Sequence, residues 1–169
     1  MKQSTKKLVL LSLLAAVALV LSYIESVLPP LYPAIPGIKM GLANIIILVC
    51  LYIFTVKEAL ILSLVRIFVS ALLFGNAMSV IYSLAGAILS LAVMAILKKT
   101  NWFSAVGVSV SGAVFHNLGQ VLIAIAVLEN IQIGYYMIIL CATGTTAGIL
   151  TGIVGGLLTK YLNKAIKRR

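Results

Sequence analysis

Acidic residues are nearly absent from this chain of 169 residues: Glu25, Glu58 and Glu129 are all it has. They lie far apart and near the ends of apolar runs, so no cluster of carboxylates is available to hold magnesium against a diphosphate. There is no ladder of buried acids to relay protons across a membrane, which disfavours a proton-coupled pump. Cysteines number two, Cys50 and Cys141, each embedded in apolar sequence. They read as small hydrophobes, not as a disulfide framework or a metal site. No Gly-rich loop ending in Gly-Lys-Ser/Thr is present, so the chain does not hydrolyse ATP by that route. Together these absences exclude the usual equipment of an enzyme or a self-powered pump, and no cofactor is implied.

What fills the chain is apolar side chain: 63% of the residues are hydrophobic, 9% are charged, and the mean hydropathy is +1.21. A water-soluble domain of this size has too little interior to hide that much, so this is an integral membrane protein. The net charge of +10 could mark a nucleic-acid partner. Its placement says otherwise, because Lys and Arg cluster in short segments flanking apolar runs, as membrane orientation requires. The lipid bilayer is the expected partner, and nucleic acid is not.

In chain order, the apolar runs predict six transmembrane helices, at about 8–28, 40–56, 57–74, 77–97, 103–128 and 135–158, in one all-α domain over residues 1–169. The basic start Met1–Lys7 and the first run resemble a secretory signal. The run is too long for one, and no small-x-small site precedes a polar chain, so it reads as a retained helix. Ser12, Ala15 and Ala16 form a small-residue patch on it where another helix can approach closely. All four prolines fall between Pro29 and Pro36, in a loop that cannot continue a helix and is placed to lie over the mouth of the bundle. Thr55 is positioned to cap the third helix, with Glu58 reaching back to it. In the sixth run, Gly144, Gly148, Gly152 and Gly156 recur at four-residue intervals, a face for close packing. Six spans put both termini on one side. The basic residues Lys2, Lys6, Lys7, Lys57, Lys98, Lys99, Lys160, Lys164, Lys167, Arg168 and Arg169 fall there, and Lys39 lies opposite. The positive-inside rule makes the termini cytoplasmic in a multi-pass protein of the cell membrane.

Polar residues inside the spans stand out against this background. Gly112, His116 and Gln120 share a helical stripe with Asn117 beside them, near mid-membrane. Arg66 lies about nine residues from either end of its own span, with no acid expected at its depth: Glu25 and Glu129 are read near the outer surface, Glu58 at the inner one. Such groups are costly in lipid and face the bundle interior. One reading makes them hydrogen-bond glue, with Arg66 held by His116, Asn117 or backbone oxygens. The other makes them a substrate pocket of Arg66, His116, Asn117 and Gln120, with Asn44, Lys39 and Tyr82 toward its mouth. Cations with neutral donors suit an acid group, and aromatic residues a planar ring.

Several segments, spread over nearly the whole chain, also carry a family likeness. Ser22-Tyr-Ile-Glu25, Leu28-Pro29, Pro36-Gly-Ile-Lys39, Gly41-Leu-Ala-Asn44, Leu73-Phe-Gly75, Tyr82-Ser-Leu-Ala-Gly86 and His116-Asn-Leu-Gly-Gln120 resemble the Gx transporter family, whose members often bear the description heptaprenyl diphosphate synthase component I. That family is in turn similar to the S components of energy-coupling factor transporters. These are six-helix bacterial membrane proteins that bind a vitamin or metal ion and dock on a transmembrane coupling protein carrying two cytoplasmic ATPases. The resemblance implies an S-component-like bundle, a small anionic or vitamin-like substrate under the loop joining the first two helices, and docking through small residues of the first helix. Ser12 with Ala16 is the best small-xxx-small match. The alternative it implies is a non-catalytic membrane subunit associated with isoprenoid or quinone synthesis.

Overall fold

The computed structural model describes residues 3–28 and 41–167. The proline-rich segment expected to form an outer loop, with Tyr32 and Lys39, lies outside them. The described residues form helices and no strand: α1 (Gln3–Val27), α2 (Asn44–Ile53), α3 (Val56–Phe74), α4 (Ala77–Thr100), α5 (Ala105–Leu128) and α6 (Tyr136–Lys167), with a short 3-10 helix, Ile131–Tyr135, before α6. The protein is an all-α membrane protein.

The shortest α-helix is the centre. α2 touches every one of the other five helices, and six successive residues, Ile46 to Leu51, are buried. A helix that is apolar all round is buried all round. The run 40–56 was expected to be a span; it holds a helix of 10 residues, about 15 Å long where the hydrocarbon core is roughly 30 Å thick. Wrapped by its neighbours, α2 has no lipid-facing side that would demand full length. Around it α1, α3, α4, α5 and α6 pack in sequence order, each on the next except that α3 takes the place beside α1.

α1, α4, α5 and the run Ile131–Ile166 containing α6 are long and apolar enough to cross a bilayer. α3 has 19 residues but carries Lys57, Glu58 and Arg66. The glycine ladder of α6 does lie against a neighbour. A Cβ at Gly148 would stand 2.7 Å from Val110 Cα, and one at Gly152 would stand 2.7 Å from Val106 Cα. α5 and α6 therefore meet backbone to backbone, and the hydroxyls of Ser109 and Thr151 bond across the seam at 2.8 Å.

One end of the bundle is tied by charge. Glu58 accepts the Thr55 N–H at 2.9 Å, the cap expected from sequence, and also pairs with Lys7 of α1. Lys98 of α4 donates to the Leu51 carbonyl at 2.6 Å, near the C-terminus of α2 where carbonyls lack helical partners.

Candidate functional site

α1 buries one stripe, Leu14, Ala18, Ser22 and Glu25, whose spacing is that of a single helix face. Its apolar half joins the core around α2. Its polar half faces Arg66 of α3, which is only 4% exposed. The Arg66 Nη1 donates to Ser22 Oγ at 3.4 Å, and Glu25 is the acid whose charge acts on the guanidinium. Glu25 is itself buried, so an acid read near the outer surface lies on the inward face of α1, on the same stripe as Ser22. Position along α1 suggested an outer-surface residue. The 3.6-residue period instead places Glu25 one turn beyond Ser22 on the inward stripe.

An arginine at mid-membrane costs at least about 2.5–3.5 kcal/mol on insertion scales, and a nearby carboxylate offsets part of that. It does not satisfy the donors. Arg66 Nε and Nη2 have no hydrogen-bond partner among the described residues. Leaving a buried donor unmet costs about 1–3 kcal/mol, more when it is charged.

From Glu25 the polar contacts run inward. One carboxylate oxygen accepts the Gly41 N–H. Gly41 has φ +82°, a conformation that glycine alone adopts freely. A Cβ there would come within 2.8 Å of Asn44 Nδ2 and 3.6 Å of His116 Cδ2. The turn into α2 therefore brings Glu25, Asn44 and His116 together. The His116 Nε2 is 3.2 Å from Gln120 Nε2, one turn along α5. Gly86 of α4 leaves room for the ring, since a Cβ at that position would be 2.9 Å from His116 Nδ1 and 2.8 Å from its carbonyl oxygen. Gln120 is fully buried, and its Oε1 has no partner among the described residues. Ser22, Glu25, Asn44, Arg66, His116 and Gln120 thus form one polar layer, built by α1, α2, α3 and α5 with α4 as its floor.

The layer gathers four of the residues expected from sequence, Asn44, Arg66, His116 and Gln120, and omits two. Asn117 points to α6, where its Nδ2 donates to the Leu140 carbonyl at 2.8 Å. One residue further along a helix is a rotation of 100°, enough to turn it from the interior stripe into the α5–α6 seam. Tyr82 packs in an apolar cluster with Val121, Ala124, Ile133 and Leu140. Lys39 lies outside the described residues. Among the described residues the hydrogen-bond partner of Arg66 is the Ser22 hydroxyl. On the outward side of α1, Ser12 and Ala16 are exposed while Ala15 is half-buried against the core. Ser22, Glu25, Gly41 and Gly86 enter the site without having been assigned a part in it from chemistry. A signal existed: Ser22 lies four residues after Ala18, as Ala18 does after Leu14, and Glu25 three further on, so both polar residues continue one helical face.

Fold and layer together define a class: an integral membrane helical bundle with a charged, hydrogen-bonding site sealed in its interior. The chain belongs to the heptaprenyl diphosphate synthase component I family, whose model matches residues 14–158. This is the Gx transporter family to which the sequence motifs pointed. No curated protein and no solved structure matches the chain.

Proposed function

We propose that the protein is the substrate-binding membrane subunit, or S component, of an energy-coupling factor type transporter for a small polar molecule of anionic or vitamin-like character. The observation that carries this reading is Arg66: buried, provided with a counter-charge, and left with two donors that no described residue satisfies. Hydrogen-bond glue alone would be expected to spend its donors, as Asn117 does on Leu140. Both termini and the Lys7–Glu58 end are placed at the cytoplasmic face by the positive-inside rule, with α2 and α3 completing six membrane-embedded helices. Ser12 and Ala16, exposed on α1, offer the close-approach surface that a coupling protein would need. The energy then comes from partner ATPases.

A second reading has one observation in its favour, the family's description as component I of a heptaprenyl diphosphate synthase. In it the chain is a non-catalytic membrane subunit of isoprenoid or quinone synthesis. Catalysis by this chain itself is disfavoured by where its three acids stand. Glu25 serves the polar layer, Glu58 caps α3, and Glu129 ends α5 at φ +50°, so none is placed to share a magnesium ion with another. Affinity purification from the native membrane separates the readings. Recovery of a transmembrane coupling protein with ATPase subunits supports the first; recovery of a soluble prenyltransferase without them replaces it by the second.

A further inference from the structure

The atoms of Arg66 that lack partners among the described residues are not an arbitrary pair. A guanidinium presents its donors along edges, and Nε with Nη2 forms one of the two edges whose N–H bonds run parallel, the other being Nη1 with Nη2. Such an edge fits the two oxygens of a carboxylate or a phosphoryl group. In this protein the remaining nitrogen, Nη1, is the one turned to Ser22, and Nε and Nη2 are the two without a partner among the described residues. Ser22 fixes the far side of the group while the paired edge is left without a hydrogen-bond partner among the described residues, within a side chain that is 4% exposed. Glu25 acts on the charge of the guanidinium, and one of its carboxylate oxygens accepts the Gly41 N–H, while Arg66 Nε and Nη2 donate to no described residue. Counter-charge and donor satisfaction are therefore separated: Glu25 supports the cation, and the fork is left for something else.

We infer that the molecule bound in this layer carries a two-oxygen acid group, a carboxylate or phosphoryl, and seats it on the Nε–Nη2 edge of Arg66. Recognition by the edge, and not by charge alone, follows from its geometry. A lysine at this position would keep the charge and lose the parallel donors. Gln120 Oε1 is also buried and without a partner among the described residues.

The inference rests on the reading of the layer as a ligand site, but not on the identity of the transport partners, and its test uses the isolated full chain. Benzoate and benzamide have nearly the same shape and differ in the acid group; inorganic phosphate supplies the phosphoryl alternative. Thermal unfolding of the detergent-purified protein is followed with each probe. Benzoate or phosphate is expected to raise the midpoint by about 4 °C at ten times its dissociation constant, as mass action requires. Benzamide is expected to raise it by less than a quarter of that. Arg66→Lys should abolish the acid-specific shift. An equal shift from benzamide, no shift from either acid, or a full shift retained in Arg66→Lys would overturn the inference. The contrast between benzoate and benzamide on the unmodified protein needs no variant, so the test stands if Arg66→Lys does not fold. Loss of the coupling partners from a native purification would bear on the transporter reading and leave this result untouched.

Discussion

At the scale of single residues, depth along a helix misleads where rotation about it informs. Glu25 reads as a surface acid from its place near the end of α1, yet it lies on the same buried stripe as Ser22 and is 8% exposed. Asn117 reads as a pocket residue from its place beside His116, yet it serves the α5–α6 seam. The two assignments predict different phenotypes. Asn117→Leu should lower stability by about 0.6 kcal/mol, the average worth of an interhelical hydrogen bond in membranes, and leave retention of the bound small molecule unchanged. Loss of that molecule would return Asn117 to the site. Gly41 is read from sequence only as a family motif, because a positive φ leaves no mark in an alternation of apolar residues. Gly41→Ala forces a side chain into that conformation and against Asn44, and should cost about 1–3 kcal/mol. An unchanged thermal midpoint would show that the turn before α2 is not constrained as described.

At the scale of elements, hydropathy located the helices and could not tell burial in protein from burial in lipid. The run 40–56 is apolar for the first reason: α2 is a core helix of 10 residues, and apolar helices of that length are commonly core helices in any protein. The glycine ladder of α6 was readable because its four-residue period has one geometric use, and its members now separate by environment. Gly148 and Gly152 face backbone of α5 at 2.7 Å from a built Cβ, whereas the nearest neighbour at Gly156 is 3.5 Å away. Gly148→Leu should therefore push α5 and α6 apart and sharply reduce the yield of monodisperse protein in size-exclusion chromatography, while Gly156→Ala should behave as the unmodified chain. Equal tolerance of both would mean that the seam is looser than its geometry. On α1, Ala16→Phe adds bulk to an exposed position and should leave thermal stability within about 0.5 kcal/mol while preventing assembly with a coupling protein. Assembly of that variant with an ATPase module would remove Ser12 and Ala16 from the docking face.

At the scale of the whole molecule, the membrane class followed from composition, and the polar layer emerges only once the fold is assembled. Its members come from positions 22, 25, 44, 66, 116 and 120, on four helices that no local pattern joins. The central claim is that this layer, with Arg66 at its heart, is where a small molecule binds. The most direct test is native mass spectrometry of the full chain extracted from its own membrane, compared with Arg66→Met, which keeps the bulk and removes the charge. The account predicts a defined small molecule released from the unmodified protein and its absence from the folded variant. The same molecule carried in equal amount by folded Arg66→Met would contradict it and make Arg66 a structural residue.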